Sequence, residues 1–399
     1  MNLSSVFTAV AHKKLVAVDL PNLRSNQHEL NGDEALKEFF GIDSKTRGNL
    51  SWHYFSDDHE TSQEENEFTF YDARAKTATR TGRSEWRFYY YGSFLSRARV
   101  GDWLILAKPR SGKLFALVFQ KQSAWLRAAQ VLFGIERSAS LFDSIKRKDL
   151  DARQLEFLQR QILDELDLAL TVPAAPNDEE LMLAKFGRTF PATRVMSEFA
   201  RAQVAVEPNK PDDTLIRWLD REEALFRALE NVVIGERLKK GFSSVDDFIT
   251  YSLSAQNRRK SRMGFALQNH LAELFTRHNI RFSPQARTEG RNQPDFIFPG
   301  AKEYHDPQFE AAMLVMLGVK SSAKDRWRQV LTEADKIPRK HLCTLEAGIS
   351  STQTDEMRRQ QLTLVVPLSI HSTYTKSQLH ELLTLSQFID FASHKQRRA

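Results

Sequence analysis

The stretch Pro294-Asp295-Phe296-Ile297-Phe298, followed by Gly318-Val319-Lys320-Ser321-Ser322-Ala323-Lys324-Asp325-Arg326-Trp327, decides how the rest of the chain is read. An acidic residue opens one short apolar run and a lysine closes the next. A charged segment follows at once, with Glu333 inside it, and its composition predicts a helix over about 324–337. Upstream, helical patterns cover about 212–235, 244–256 and 263–278, the last with Leu267, Leu271, Leu274 and Phe275 on one stripe. Strands are expected at 295–298 and 313–320, then at His341–Leu345 and Leu362–Val366. A short helix near 354–360 separates the last two, and a final helix covers about 376–392. Helix, strands, helix, strand, helix is the order of an α/β sandwich.

The first 125 residues have a different texture. Phe68-Thr69-Phe70-Tyr71 and Phe88-Tyr89-Tyr90-Tyr91 carry strand aromatics. Gly101–Leu106 and Leu114–Phe119 flank a Pro109–Gly112 turn and read as a hairpin. From Asp151 the period changes, with Leu155, Leu158, Ile162 and Leu166 on one helical face. Pro173, Pro176, Pro191, Pro208 and Pro211 then interrupt the chain. The expected organisation is a β-rich domain over 1–170, a partly helical linker over 171–211 and an α/β domain over 212–399.

At 399 residues the chain is long enough for two cores, and its 41% hydrophobic and 27% charged content is that of a globular protein. A net charge of +6 suits a polyanionic partner, though only mildly. Cys343 is the only cysteine, which excludes an intrachain disulfide and a cysteine-based metal cluster. The apolar stretch Val6–Ala11 is broken by His12-Lys13-Lys14, too short for a signal-peptide core. No apolar run approaches the ~18 residues of a membrane span. A cytoplasmic location without membrane partners is expected.

Asp295 at a strand start and Lys320 at a strand end come side by side when those strands pair. A carboxylate, a lysine and a second carboxylate around one phosphate are what metal-dependent phosphodiester hydrolysis requires. Mg²⁺ takes hard oxygen ligands and keeps several waters, so two carboxylates suffice. The acid usual two positions before the lysine is absent, because Gly318 stands there. Glu333 is the residue that could return to the same space. Taken singly, each has a plainer reading: a strand entry, a solvated lysine, a surface glutamate. Their joint order inside the α/β pattern favours the site.

Lys240–Phe248, Asn257-Arg258-Arg259-Lys260-Ser261-Arg262, Pro294-Asp295-Phe296 and Lys324–Ile337 resemble the catalytic domain of EcoRII-type restriction endonucleases, on the PD-(D/E)xK core. The resemblance runs from roughly 185 to 390. It implies a Mg²⁺-dependent homodimer cutting both strands of a short duplex DNA site, with a cognate DNA methyltransferase as functional partner. Asp295, Lys320, Lys324 and Glu333 stand at the family's catalytic positions, Asp295 and Glu333 as metal ligands. One departure is Gln268, where the family tends to carry a glutamate. Lys324-Asp325-Arg326 resembles a basic–acidic–basic triplet that reads G·C pairs: Arg is bidentate to guanine and a carboxylate accepts from cytosine N4. Arg258, Arg259 and Arg262 are expected to clamp phosphates.

In the first half, Arg83-Ser84-Glu85-Trp86-Arg87 resembles, more weakly, the base-contacting strand of the EcoRII effector domain, a β-pseudobarrel. Period-two alternation puts Arg83, Glu85 and Arg87 on one face. The plainer reading there is a solvated ion ladder. Together these features lead to the expectation of a site-specific endonuclease regulated by DNA bound at its first domain. The rivals are a repair or junction nuclease on the same core, and a DNA-binding regulator whose nuclease core has decayed.

Overall fold

A computed structural model describes residues 2–21, 28–41, 44–57, 62–75, 84–110, 114–136, 141–152, 157–166, 177–207, 209–323 and 326–398. The chain divides into two compact units, Met1–Thr171 and Val172–Ala399.

The first unit is built on an eight-stranded sheet. Its strands are β1 (Phe7–Lys14), β2 (Glu29–Gly32), β3 (Thr46–Phe55), β4 (Ser62–Asp72), β5 (Trp86–Tyr90), β6 (Trp103–Pro109), β7 (Leu114–Phe119) and β8 (Asp143–Ser144). Their spatial order is β2-β5-β4-β3-β7-β6-β1-β8, and the β6–β7 hairpin is antiparallel as expected. Helix α1 (Glu34–Phe40) is capped by Asp33, which accepts from the Leu36 amide, and ends at Gly41 with φ +67°. It lays Phe40 against Phe70, at 4.7 Å between ring centroids, and Phe70 stacks on Trp86 at 4.9 Å. Helix α2 (Ala124–Phe133) packs Trp125 on Phe55 at 5.3 Å and Phe133 on Phe7 at 5.4 Å. Apolar side chains of this size contribute about 1.5–3 kcal/mol each when buried. In β5 the alternation is strict: Trp86, Phe88 and Tyr90 face the core, while Arg87 and Tyr89 face outward.

The second unit opens with α3 (Asp178–Phe186) and α4 (Thr193–Ala202), inside the segment read as a linker. Both pack on α5 (Pro211–Lys240), joining Met182, Met196 and Ala200 to Leu225, Phe226 and Leu229. Of the described prolines, Pro191 lies between α3 and α4 and Pro211 opens α5, so the apolar residues described in this segment belong to the second unit.

Helix α6 (Val245–Arg277) replaces two expected helices with one. Ser244 caps it by accepting from the Asp247 amide, and no proline interrupts it. Glutamates of α5 pair with Arg259 and Arg262, and the basic stretch at 257–262 continues the helix. Its C-terminal half lays Phe275 among Phe282, Phe296, Phe298 and Phe388.

The five-stranded sheet beneath has the order β13-β12-β11-β10-β9. Strands β9 (Ser283–Pro284), β10 (Phe296–Phe298) and β11 (Val315–Lys320) are antiparallel, whereas β11, β12 (Lys340–Thr344) and β13 (Leu362–Val365) are parallel. Helix α7 is shorter than expected, Trp327–Leu331. Thr332 ends it, and Ala334 sits at φ +54°, a left-handed conformation that a continuing helix does not adopt. Helix α8 (Ser351–Arg359) lies between β12 and β13. The final expected helix divides into Lys376–Leu379 and α9 (Leu385–Arg398), because Leu383 pairs its backbone with Leu364 and Val366. Asp212, in the first turn of α5, accepts from the amides of Leu368, Leu385 and Ser386 at 2.9–3.0 Å. Among the described residues, no helix is long and apolar enough to cross a membrane.

Candidate active site

Asp295 immediately precedes β10, whose Phe296 pairs with Leu317 of β11. That register sets its carboxylate beside the end of β11. Oδ2 accepts from the Val319 amide at 2.6 Å and lies 3.5 Å from the Lys320 ammonium. The Gln268 side-chain amide, from α6, donates to Oδ1 at 2.5 Å. Burial raises the Asp295 pKa, opposed by Lys320 and by the Val319 amide.

Glu333 follows α7 in the turn that Ala334 completes, so it is carried by a loop and not by a helix. Its carboxyl is pushed up to about 7, by burial first and by the Asp295 charge, against Lys320 and Lys340. Oε2 is buried with no hydrogen-bond partner among the described residues. The structure therefore brings Asp295, Lys320 and Glu333 into one electrostatic neighbourhood.

Gly318 explains why the acid is not on the strand. A Cβ there would lie 2.9 and 3.0 Å from the two Val330 methyls, because α7 rests directly on β11. A side chain there would crowd Val330, and the carboxyl that neighbours Asp295 is that of Glu333, beyond that helix.

The other sequence candidates separate. Lys324 and Asp325 lie outside the described residues. Arg326 is exposed just before α7, where its amide donates to the Ala323 carbonyl at 2.9 Å. Arg262 does not face solvent. It is 5% exposed, ion-paired to Glu223 and 3.6 Å from Glu222, over the Phe226 ring at 4.5 Å. Arg259 donates through Nε to both Glu230 oxygens at 2.8–2.9 Å, and Arg258 covers the Phe190 ring at 4.3 Å. The expected phosphate clamp is thus largely a seam between α5 and α6, since the glutamates that match these arginines stand on the neighbouring helix.

In the first unit, Arg83 lies outside the described residues. Arg87 donates to Glu85 and to Asn31 across the β5–β2 pair, and Glu85 also meets Arg74 at 2.6 Å. The Arg87 hydrogen bond comes first among the causes that depress the Glu85 pKa. These side chains share the outward face and form a paired ladder on it.

Two elements of the site escaped the sequence reading. The Val319 amide could not be seen without the strand register. Gln268 was visible only as a departure from the family pattern, and its contact with Asp295 depends on where α6 crosses the sheet.

Residues 226–389 match the family described as EcoRII C terminal. Over 222 residues the chain is 41% identical to the type II restriction enzyme EcoRII of Escherichia coli, covering 55% of this chain and 55% of that protein. The chain therefore spans about half the length of this relative. Among solved structures, metal-depleted Ecl18kI in complex with uncleaved, modified DNA aligns with TM-score 0.45 and 17% identity, covering 56% of this chain and 84% of that one. A PspGI–substrate DNA complex aligns with TM-score 0.44 and 15% identity, covering 53% and 95%. The family match spans the region that holds Asp295, Lys320 and Glu333, and residues 226–389 are thus similar to the EcoRII C-terminal family.

Proposed function

We propose that this chain is a type II restriction endonuclease that cuts both strands of a short duplex DNA site in a Mg²⁺-dependent reaction, leaving 5′-phosphate and 3′-hydroxyl ends. The observation that carries the reading is the meeting of Asp295, Lys320 and Glu333 within residues 226–389, which match the family described as EcoRII C terminal.

The donor set fits a hard divalent cation. Both carboxylates supply oxygen, and the Glu333 oxygen without a partner is a costly arrangement unless a cation or proton meets it. No group of three or more His, Cys, Asp or Glu gathers among the described residues, so Mg²⁺ held by Asp295 and Glu333 would keep several waters. When bound it would supply charge neutralisation at the phosphate and an acidified water.

The chain's own groups do the rest. Val319 and Gln268 fix the orientation of the Asp295 carboxylate. Lys320 brings a positive charge to the phosphate and a proton-carrying Nζ beside the attacking water. Glu333, whose pKa is pushed up to about 7 before a cation binds, would give up its proton on becoming a ligand. Lys324 would add a second cation to the phosphate. Asp325 and Arg326 would read base edges, and Glu85 and Arg87 a second DNA copy at the first unit. Two-strand cutting with one site per chain calls for a two-fold homodimer, and protection of host DNA calls for a methyltransferase of matching specificity.

Incubation of the purified chain with plasmid and Mg²⁺ tests the reading. Discrete fragments are the expected result. Nicking, or cutting confined to branched DNA, would point to a repair nuclease, and retardation without cleavage to a DNA-binding regulator. Asp295→Ala should abolish cutting and leave DNA retardation intact; unchanged cutting would remove Asp295 from the site.

A further inference from the structure

We propose that Glu346 is a positioning residue for the cleavage reaction: its buried carboxylate holds the turn between Lys320 and Arg326 and so fixes the phosphate-side lysine relative to the base-side arginine. What those two cations touch rests on the nuclease reading above; the turn itself is independent of it.

Glu346 follows β12 within Leu345-Glu346-Ala347-Gly348-Ile349, a run buried throughout, and is 0% exposed. A carboxylate taken out of water at such a place is costly unless its oxygens are bonded. Oε2 accepts from the Ala323 amide at 2.5 Å. Ala323 is also fully buried and stands midway along the chain between Lys320 and Arg326. Its carbonyl in turn accepts from the amides of Arg326 at 2.9 Å and Trp327 at 3.0 Å. One residue, Ala323, is therefore held at its N–H by Glu346 and at its C=O by the start of α7.

The anchor itself has little slack. The Glu346 amide donates to the Thr344 hydroxyl at 3.2 Å, and its carbonyl accepts from the Tyr374 hydroxyl at 2.9 Å. Trp327, 0% exposed, seats the other end of the turn in the core. Lys320 lies at one end of this braced segment, 3.5 Å from Asp295, and Arg326 emerges exposed at the other. Displacing the Ala323 amide changes the distance between the two ends without touching either.

The test uses the full chain and two replacements. Glu346→Gln keeps an acceptor for the Ala323 amide, whereas Glu346→Met fills the space without one. The site is first mapped from wild-type plasmid fragments. Then kcat and KM are measured on a duplex carrying it and on one with a single base pair changed, and hydrogen exchange is followed over 321–327. For Glu346→Met, kcat on the correct duplex should fall about tenfold with KM little changed, consistent with loss of a charge-assisted buried bond. The preference for the correct duplex should fall by a similar factor, and exchange at 321–327 should rise. Glu346→Gln should stay within about threefold of wild type, its acceptor being neutral but present. Unchanged exchange at 321–327 in Glu346→Met overturns the proposal, as does an equal loss in both variants with discrimination intact. If Glu346→Met does not fold, the Gln variant decides, because a neutral acceptor holds the Ala323 amide less tightly than a carboxylate: exchange about two- to threefold faster and confined to 321–327 supports the brace, and unchanged exchange overturns it. Failure of the wild-type chain to cut any DNA would sink the nuclease reading instead, and the exchange comparison, which needs no DNA, would still judge whether Glu346 holds the turn.

Discussion

A carboxyl held near pKa 7, as Glu333 is, ties both stability and cation binding to pH. Its pKa is raised above the ordinary carboxyl value of 4.5, so the folded protein binds the proton more tightly than the unfolded chain does. The folded form is therefore favoured by Glu333 at low pH, and that advantage is lost as pH rises from about 4.5 through about 7. Metal-free melting curves should accordingly show a larger drop in Tm from pH 6 to pH 8 for wild type than for Glu333→Gln. A cation at the site needs the ionised form, so Mg²⁺ should bind more tightly at pH 8 than at pH 6 and release a proton near neutrality. Calorimetry in buffers of different ionisation enthalpy reads that proton, and its persistence in Glu333→Gln would count against the assignment. Gly318 gives a second prediction at this scale. Gly318→Ala should cost about 1–3 kcal/mol by overpacking against Val330, seen as a lower denaturant midpoint. At this scale the nearness of Asp295 and Lys320 was legible, because pairing of their strands sets a strand start beside a strand end. The reason for the glycine was not, since Val330 reaches it only when α7 lies down on β11.

At the scale of elements, α6 shows where local pattern misleads. Its arginines looked like a basic interruption suited to phosphates, but Glu222, Glu223 and Glu230 of α5 claim two of them. No reading of one helix alone contains its partner's charges. Arg262→Ala should thus destabilise the second unit by about 3 kcal/mol, because it strips a partner from the buried Glu222. It should leave the salt dependence of DNA binding unchanged. Arg326→Ala should do the reverse, weakening DNA binding with little change in the unfolding midpoint. Urea melts and binding titrations at several salt concentrations separate the two. Strands β4 to β7 and β10 to β13 were legible because short apolar runs bounded by turns specify them, but β1, β2, β3, β8 and β9 were not read, and α7 and the C-terminal helices were overextended. Their ends are set by a left-handed alanine and by a backbone pairing with β13, and neither leaves a mark in hydrophobic periodicity.

For the whole molecule, the position of the division between units has practical weight. Because α3 and α4 complete the core around Leu225, Phe226 and Leu229, a fragment beginning at 172 should fold and melt cooperatively. One beginning at 212 would bare that apolar face and should aggregate or melt lower; equal melting of both would argue against α3 and α4 as core. Comparing the longer fragment with the full chain on DNA carrying one or two copies of the site also tests control by the first unit. Asp212 adds something about how this molecule is made. Its carboxylate joins the start of α5 to amides 156–174 positions further along the chain, so the loop it closes encloses the entire five-stranded sheet. A ribosome exposes Asp212 long before Leu385 and Ser386 exist, and closing so long a loop carries an entropic cost that local contacts cannot offset early. The second unit is therefore a clasp whose catch is delivered after its sheet, and completion of its fold waits on the synthesis of Leu385 and Ser386.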